Sequence, residues 1–203
     1  MSTRLLQVVA AVLAALVVGL AAFWHPEPAP RDVSPARQPA GGDFTLASAD
    51  GPVSLVSLRG KVVLIYFGYT FCPDICPTSL AATADGLRQL KPDEMARVAM
   101  LFVSVDPERD TPAHLKEYVA FFHPAIVGVT GSAAEIGEIA RHYGAFYAKQ
   151  KVETAGGGYV VDHTSDTYVV GPAGQLLGRI AHDTPAPRVA AEIRQYLQQN
   201  PNP

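Results

Sequence analysis

Cysteine is scarce in this chain. Its 203 residues hold two, Cys72 and Cys76, and none stands directly after the long apolar run near the N-terminus, which argues against a lipid-anchored lipoprotein. An excess of charge of one sign is also missing: 16 Lys and Arg stand against 19 Asp and Glu, a net charge of −3. With no basic patch and no aromatic–basic interleaving, nucleic acid drops out as a partner. No glycine-rich phosphate loop, no Ser-His-Asp grouping and no internal repeat stands out. Apolar side chains are plentiful at 48%, enough for one domain with a full core plus a tail.

The tail comes first. Leu5 to Trp24 is almost wholly apolar and uncharged, and its 20 residues suffice to span a bilayer as a helix. Arg4 precedes the run and no Lys or Arg follows before Arg31. The positive-inside rule then places the N-terminus in the cytoplasm and the remainder outside. A cleaved signal peptide is the alternative; it has a shorter apolar region and a small-residue cleavage site, whereas this run ends in bulky Phe23-Trp24. Both readings export the domain to where a disulfide persists. The expectation is a single-pass inner-membrane protein with its domain facing the periplasm: residues 1–24 as anchor, 25–42 as a Pro/Ala-rich extended linker, and 43–203 as the folded domain.

Within 43–203 the pattern alternates. Val62–Phe67, Ala99–Val105, Ile126–Val129, Thr167–Val170 and Leu176–Ala181 read as strands; Pro77–Leu90, Pro112–Phe122, Ala133–Tyr143 and Pro187–Gln198 read as helices. Thr111 and Ser132 are candidate N-caps, the first followed by Pro112 at the first helical position. Lys149–Gly158, with three consecutive glycines, reads as a turn or hairpin. This order predicts an α/β domain with a central mixed β-sheet flanked by helices, and a strand feeding a cysteine loop and a helix narrows it to a thioredoxin-like fold.

The chemistry collects at that loop. The apolar run Val62–Phe67 leads into Tyr69-Thr70-Phe71-Cys72-Pro73-Asp74-Ile75-Cys76-Pro77, with Pro77 expected to open the helix and Cys76 to cap it. Thiolates at a helix mouth are stabilised by backbone N–H groups and the helix dipole. Three residues separate the cysteines, not the two of the common redox motif. Such a pair closes a small disulfide ring, binds a soft cation such as Cu(I) or Zn²⁺, or does both. Two inert buried cysteines are the plain alternative, and an exported location and paired spacing argue against it. A metal needs a further ligand. His163 lies in a polar break, Asp162-His163-Thr164-Ser165-Asp166, between two β-like stretches. Alone, a loop histidine is usually a surface residue. In a thioredoxin-like sheet this loop lies beside the cysteine loop, where His163 can complete a Cys₂His set.

Three segments now carry a resemblance: Gly60–Pro77 with its Cys-Pro-Asp-Ile-Cys-Pro core, Ser104-Val105-Asp106-Pro107-Glu108-Arg109-Asp110-Thr111-Pro112, and Tyr159-Val160-Val161-Asp162-His163-Thr164. In this order and rough spacing, across about Asp43 to Leu197, the chain resembles the Sco/SenC family of membrane-tethered copper proteins. Thr164 stands where many members have serine. The resemblance implies that Cys72, Cys76 and His163 bind one copper ion, as Cu(I) and in many members also as Cu(II). It implies delivery of copper to, or preparation of the cysteines of, the dinuclear copper site on cytochrome c oxidase subunit II. Another periplasmic protein would then be the copper donor. The expected role is a metallochaperone with accessory thiol-disulfide reductase activity through a Cys72–Cys76 disulfide, and no catalytic residue in the ordinary sense. The chemistry agrees independently, since thiolates suit Cu(I) and an imidazole adds Cu(II).

Asp106, at a strand end, is a candidate to face the cysteine loop, and Asp162 to orient His163; turn-stabilising aspartates are the alternative for both. Asp110 reads as a helix-start residue. His114 and His142 read as surface groups on helices, His123 as part of a His-Pro turn, His25 as a membrane-interface residue, and His182 as a residue able to approach the site.

Overall fold

The computed structural model describes residues 2–23, 39–152 and 158–201 of the chain. Two compact units are present, Met1–Arg37 and Gln38–Pro203. The first holds helix α1, Thr3–Phe23. Among the described residues no helix is long and apolar enough to cross a membrane; the side chains at positions 9 and 20–23 lie outside that description, as do Trp24, His25 and most of the expected linker.

The second unit is built on a five-stranded sheet in the order β5-β4-β3-β8-β9. Its strands are β3 (Val62–Gly68), β4 (Val98–Ser104), β5 (Ile126–Val129), β8 (Thr167–Val170) and β9 (Leu176–Ile180). β3, β4 and β5 run parallel, while β8 pairs antiparallel to β3 and β9 antiparallel to β8. The sheet is therefore mixed. Every residue of β3 is buried, as a central strand covered on both faces requires, and its run Val62-Val63-Leu64-Ile65-Tyr66-Phe67 is accordingly continuous rather than alternating. The pleat still separates its side chains. Tyr66 stacks on its register partner Phe102 at 6.1 Å, and Phe102 meets Tyr118 of helix α4 (Pro112–Ala120). Phe67 turns the other way, toward Tyr168 of β8 and Tyr143 of helix α5 (Ala133–Tyr143).

Two helices seat the cysteine side of the sheet. Helix α2 spans Ile75–Arg88 and helix α6 spans Ala186–Gln199. They touch closely at Gly86, where a Cβ would come within 2.8 Å of Val189 Cγ1. α2 starts at Ile75, so Cys76 is a first-turn residue and Asp74 takes the cap position expected of Cys76. Pro77 is tolerated one turn in because the first four N–H groups of a helix have no intrahelical acceptor, and proline gives up nothing there. The other two caps form as the sequence suggests. Thr111 Oγ accepts from the N–H of His114 at 3.2 Å, and Ser132 closes a reciprocal box with Glu135.

The sequence left a short hairpin and a one-turn helix unread, and read a two-stranded ribbon only as a turn or hairpin. β1 (Thr45–Ser48) and β2 (Gly51–Ser54) form a short hairpin, joined to the sheet region by the bridge Ala47–Thr130. A one-turn helix, α3 (Pro92–Met95), leads into β4. The Lys149–Gly158 stretch resolves into β6 (Tyr147–Val152) and β7 (Gly158–His163), a separate two-stranded ribbon whose base pairs Tyr147 with His163. The domain also reaches back to Gly41 and Gly42: the Gly41 N–H donates to His142 O at 3.1 Å, and the Tyr143 hydroxyl donates to Gly42 O at 2.9 Å.

One buried carboxylate ties these parts to the cysteine loop. Asp110, which the sequence marks only as a helix-start residue, is fully buried. It accepts from the Thr70 N–H at 3.0 Å, the Thr70 hydroxyl at 2.5 Å and the Ser104 hydroxyl at 2.6 Å. Asp110→Ala strands the Thr70 N–H and the Ser104 hydroxyl. We expect a loss of about 2–5 kcal/mol in urea unfolding, from about 1–3 kcal/mol for each unsatisfied buried group. A loss below about 1 kcal/mol would mean that Thr70 finds another acceptor.

Candidate metal and thiol centre

Three elements meet at one point. β3 ends at Gly68, α2 begins at Ile75 behind the cysteine loop, and β7 ends at His163. The ligand atoms of Cys72, Cys76 and His163 lie within 4.8 Å of one another. Nε2 of His163 is 3.2 Å from Cys76 Sγ, and the Cys76 N–H points at Cys72 Sγ at 3.4 Å. Both cysteines are free thiols. The imidazole is oriented by the carbonyl of its neighbour: Nδ1 donates to Thr164 O at 3.0 Å, because a carbonyl can only accept. That leaves the Nε2 lone pair on the sulfur side. Tyr66 and Tyr69 hold the ring edge-on at 6.1 and 5.8 Å between centroids.

Glycine at position 68 is a steric requirement of this arrangement. A Cβ there would lie 2.8 Å from Cys76 Sγ and 2.9 Å from both Tyr66 and Phe102. Nothing larger fits without moving the sulfur. Beside it the hydroxyls of Tyr66 and Ser79 are buried without hydrogen-bond partners. Burial above all pushes the Tyr66 phenol far up, so it stays a neutral donor next to the thiols.

The two thiols share their protons unequally. Cys72 is pushed well below the ordinary thiol range, first by the hydrogen bond from Cys76 and then, against the cost of burial, by His163 and the backbone N–H groups of Cys76 and Asp74. Cys76 is fully buried. Burial, then its bond to Cys72 and the charge there, pushes its thiol far up. The pair therefore holds one negative charge, on the half-exposed Cys72. Burial alone would pull the His163 imidazolium down, but the Cys72 thiolate and the Thr164 carbonyl outweigh it and its pKa is raised.

The two aspartates flagged in the sequence do other work. Asp162 is exposed, paired across the ribbon with Ala148, and does not orient His163; Thr164 O does. Asp106 is fully buried and its carboxylate does not reach the cysteines. It pairs with Arg109 Nε and accepts from the Tyr159 hydroxyl at 2.7 Å. Arg109 carries the connection onward, its guanidinium lying 3.9 Å from the Tyr159 ring, 4.7 Å from Phe71 and 5.5 Å from Tyr69. Sequence reasoning missed Thr70, Asp110, Arg109 and Tyr159. The available signal was that all four sit inside the three motif segments that carry the cysteines, the Ser104–Pro112 turn and the histidine. His182 is exposed after β9 and outside the cluster, while His114 faces Asp110 at 3.9 Å.

A sequence profile of the SCO1/SenC family matches residues 33–198. The chain belongs to the SCO1/SenC family. The "Protein SCO1 homolog 1, mitochondrial" of Arabidopsis thaliana is 40% identical over 161 residues, covering 77% of this chain and 48% of its own length. The chain thus spans about half of that relative, and 53% of a Saccharomyces cerevisiae one. Among solved structures, Bradyrhizobium japonicum ScoI with copper bound is 39% identical with a TM-score of 0.69, covering 77% of this chain and 99% of that one. BsSco, described as having a disulfide switch and as a member of the Sco family of cytochrome c oxidase assembly proteins, is 32% identical with a TM-score of 0.62, covering 79% of this chain and 94% of that one. The thioredoxin-type α/β fold with its central mixed sheet is that of the SCO1/SenC family.

The unequal thiols give a measurable signature. At pH 6 iodoacetamide should label Cys72 and spare Cys76, because only Cys72 is both ionised and reachable. Its labelling should persist to lower pH than that of an unperturbed cysteine, whose pKa is about 8.5. Peptide mass mapping after brief labelling reads this out; equal labelling of the two, or none below pH 8, contradicts the assignment.

Proposed function

We propose that this SCO1/SenC chain binds copper as cargo through Cys72, Cys76 and His163 and serves the copper centre of cytochrome c oxidase. The observation that carries this is the Cys₂His cluster, assembled from three separate elements within 4.8 Å, in a chain whose solved relatives include a copper-bound form. The donors suit the metal. Two sulfurs and one imidazole are soft to borderline ligands, right for Cu(I) and usable by Cu(II), and Zn²⁺ structural sites want a fourth. Three donors at bond lengths of about 2.0–2.3 Å around one ion stand roughly 3.5–4 Å apart, so a cluster spread over 3.2 Å to at most 4.8 Å needs shifts of up to about 1 Å.

The chain's own residues divide the task. Cys72 supplies a ready thiolate at the surface. Cys76 supplies a second sulfur from the interior once its proton leaves. His163 supplies Nε2, held by Thr164. The partner is subunit II of the oxidase, with a periplasmic protein as copper donor. A second reading is favoured by the low pKa of half-exposed Cys72: the same pair reduces a disulfide on that subunit, ending as a Cys72–Cys76 disulfide. The two roles exclude one another at any instant, since the disulfide consumes both sulfurs.

Anaerobic titration tests the copper site. The reduced chain should take up one Cu(I) and the oxidised chain none; Cys72→Ser or Cys76→Ser should lose tight binding, and His163→Ala should weaken Cu(I) and abolish Cu(II). Equal tight binding by reduced and oxidised chains would place the site elsewhere. In cells, all three substitutions should abolish oxidase activity at equal protein level. Full activity in His163→Ala alone would assign the role to the thiols.

Leu5–Trp24 is read as an uncleaved inner-membrane anchor presenting the domain to the periplasm. α1 exposes Leu5, Leu6, Val12, Leu13, Leu16 and Val17, the side chains that lipid would cover. An export-dependent reporter fused after Pro203 should be active and stay with membranes after a high-salt wash. An inactive reporter, or release by the wash, contradicts the anchor.

A further inference from the structure

Beside Cys72 the surface opens into a cleft of about 340 Å³. Cys72 and His163 line it, Ile75 and Val160 supply apolar wall, and Asp74 and Asp162 are its only carboxylates. Ile75 is 41% exposed, and outside the cleft Phe71, next to Cys72 in sequence, adds apolar surface at 54% exposed. Neither Asp74 nor Asp162 has a cationic partner among the described residues, while the nearby cations Arg109 and Lys149 are paired with Asp106 and Glu108. The cleft is therefore largely apolar, carries two carboxylates without cationic partners, and opens on Cys72, the one of the two cysteines that is not fully buried.

We propose that this cleft receives a disulfide-bearing segment of the partner that carries an apolar side chain and a cation next to its reactive cysteine. The apolar side chain fills the space against Ile75 and Val160, and the cation meets Asp74 and Asp162. This deepens the thiol-exchange reading above and rests on it. The chemistry is an ordinary two-electron exchange. The Cys72 thiolate attacks one sulfur of the partner disulfide; a Cys72–partner bond forms, and the partner's other sulfur leaves with the electron pair and takes a proton. Cys76, giving up its proton, then attacks Cys72 Sγ. The intramolecular disulfide closes, the partner is released as a dithiol, and the chain is left oxidised by two electrons.

The test uses the full reduced chain and synthetic peptides whose cysteine is blocked as a thionitrobenzoate mixed disulfide, with Leu–Cys–Lys, Leu–Cys–Glu or Gly–Cys–Gly at the centre. Release of the yellow thiolate gives the rate of the first step. Each rate is divided by that of the same peptide with glutathione, which removes the effect of neighbouring charges on the peptide sulfur. The Leu–Cys–Lys peptide should react about ten-fold faster than Leu–Cys–Glu at low salt. The ratio should fall several-fold in Asp74→Asn/Asp162→Asn and in 0.5 M salt. Gly–Cys–Gly should be slower than Leu–Cys–Lys in both proteins. Normalised rates within two-fold of one another, or a preference unchanged in the double variant, would overturn the cleft assignment while leaving thiol exchange intact. Failure of all three peptides to react faster than with glutathione would overturn thiol exchange and the cleft assignment with it.

Discussion

The site depends on a carboxylate that touches neither sulfur. The loop between β3 and α2 has little regular structure of its own, and a free loop of this length would not hold two thiols at a fixed separation. Asp110 closes it. By taking the Thr70 N–H and hydroxyl on one side and the Ser104 hydroxyl on the other, it bolts the start of the loop to the end of β4. A charge at full burial is costly unless satisfied, and three donors satisfy this one. The parallel pairing of β3 with β4 brings Gly68 level with Ser104, so the bolt and the cysteine loop leave the sheet at the same height.

His163 arrives from a different direction and needs its own tether. The ribbon β6–β7 is not part of the main sheet. Two contacts hold it to the cysteine loop. The Tyr69 hydroxyl accepts from the Val161 N–H at 3.2 Å, and Arg109 donates to Tyr159 O at 3.2 Å while stacking on Tyr159 and Phe71. Arg109 is in turn neutralised by buried Asp106. The Asp106–Arg109–Tyr159 group thus does for the histidine what Asp110 does for the cysteines. Both carboxylates lie in one turn after β4, so that turn sets the relative position of all three ligands.

Much of this frame is legible in the sequence. The five sheet strands and four long helices announce themselves by apolar runs and caps, because each buries a stripe or a face large enough to leave a periodic signal. The β1–β2 hairpin does not, since its strands have four residues each and Gly51-Pro52 opens the second. The meeting of Cys72, Cys76 and His163 is readable only through fold position. The helper residues are harder. Asp110 looks like a cap neighbour because Thr111 beside it is a true cap, and its burial follows from a sheet register no local pattern encodes. Asp162 illustrates the reverse error. Adjacent to His163 in sequence, it lines the same cleft but gives the ring no hydrogen bond, and the orienting acceptor is a backbone carbonyl that any residue could supply.

The depth at which the two sulfurs sit decides which chemistry the centre favours. A pair of equally exposed thiols would titrate alike and oxidise readily. Here Gly68 lets Cys76 sink to full burial against Tyr66 and Phe102, so its thiolate is expensive until something positive or covalent replaces the proton. Cys72, half-exposed and bonded by the Cys76 N–H, carries the charge in the meantime. On the proposed function, capture of a soft cation or attack on a disulfide begins at Cys72, the sulfur that is not fully buried. The second sulfur joins only when the first has drawn the incoming group within reach, which also removes the reason for Cys76 to keep its proton. His163 separates the two outcomes. A closing disulfide has no use for Nε2, whereas a cation does, and an imidazole already turned toward the sulfurs by Thr164 costs little reorganisation to recruit. On the proposed function, the geometry suits a cation, and thiol exchange would start from the same exposed sulfur when no cation is bound.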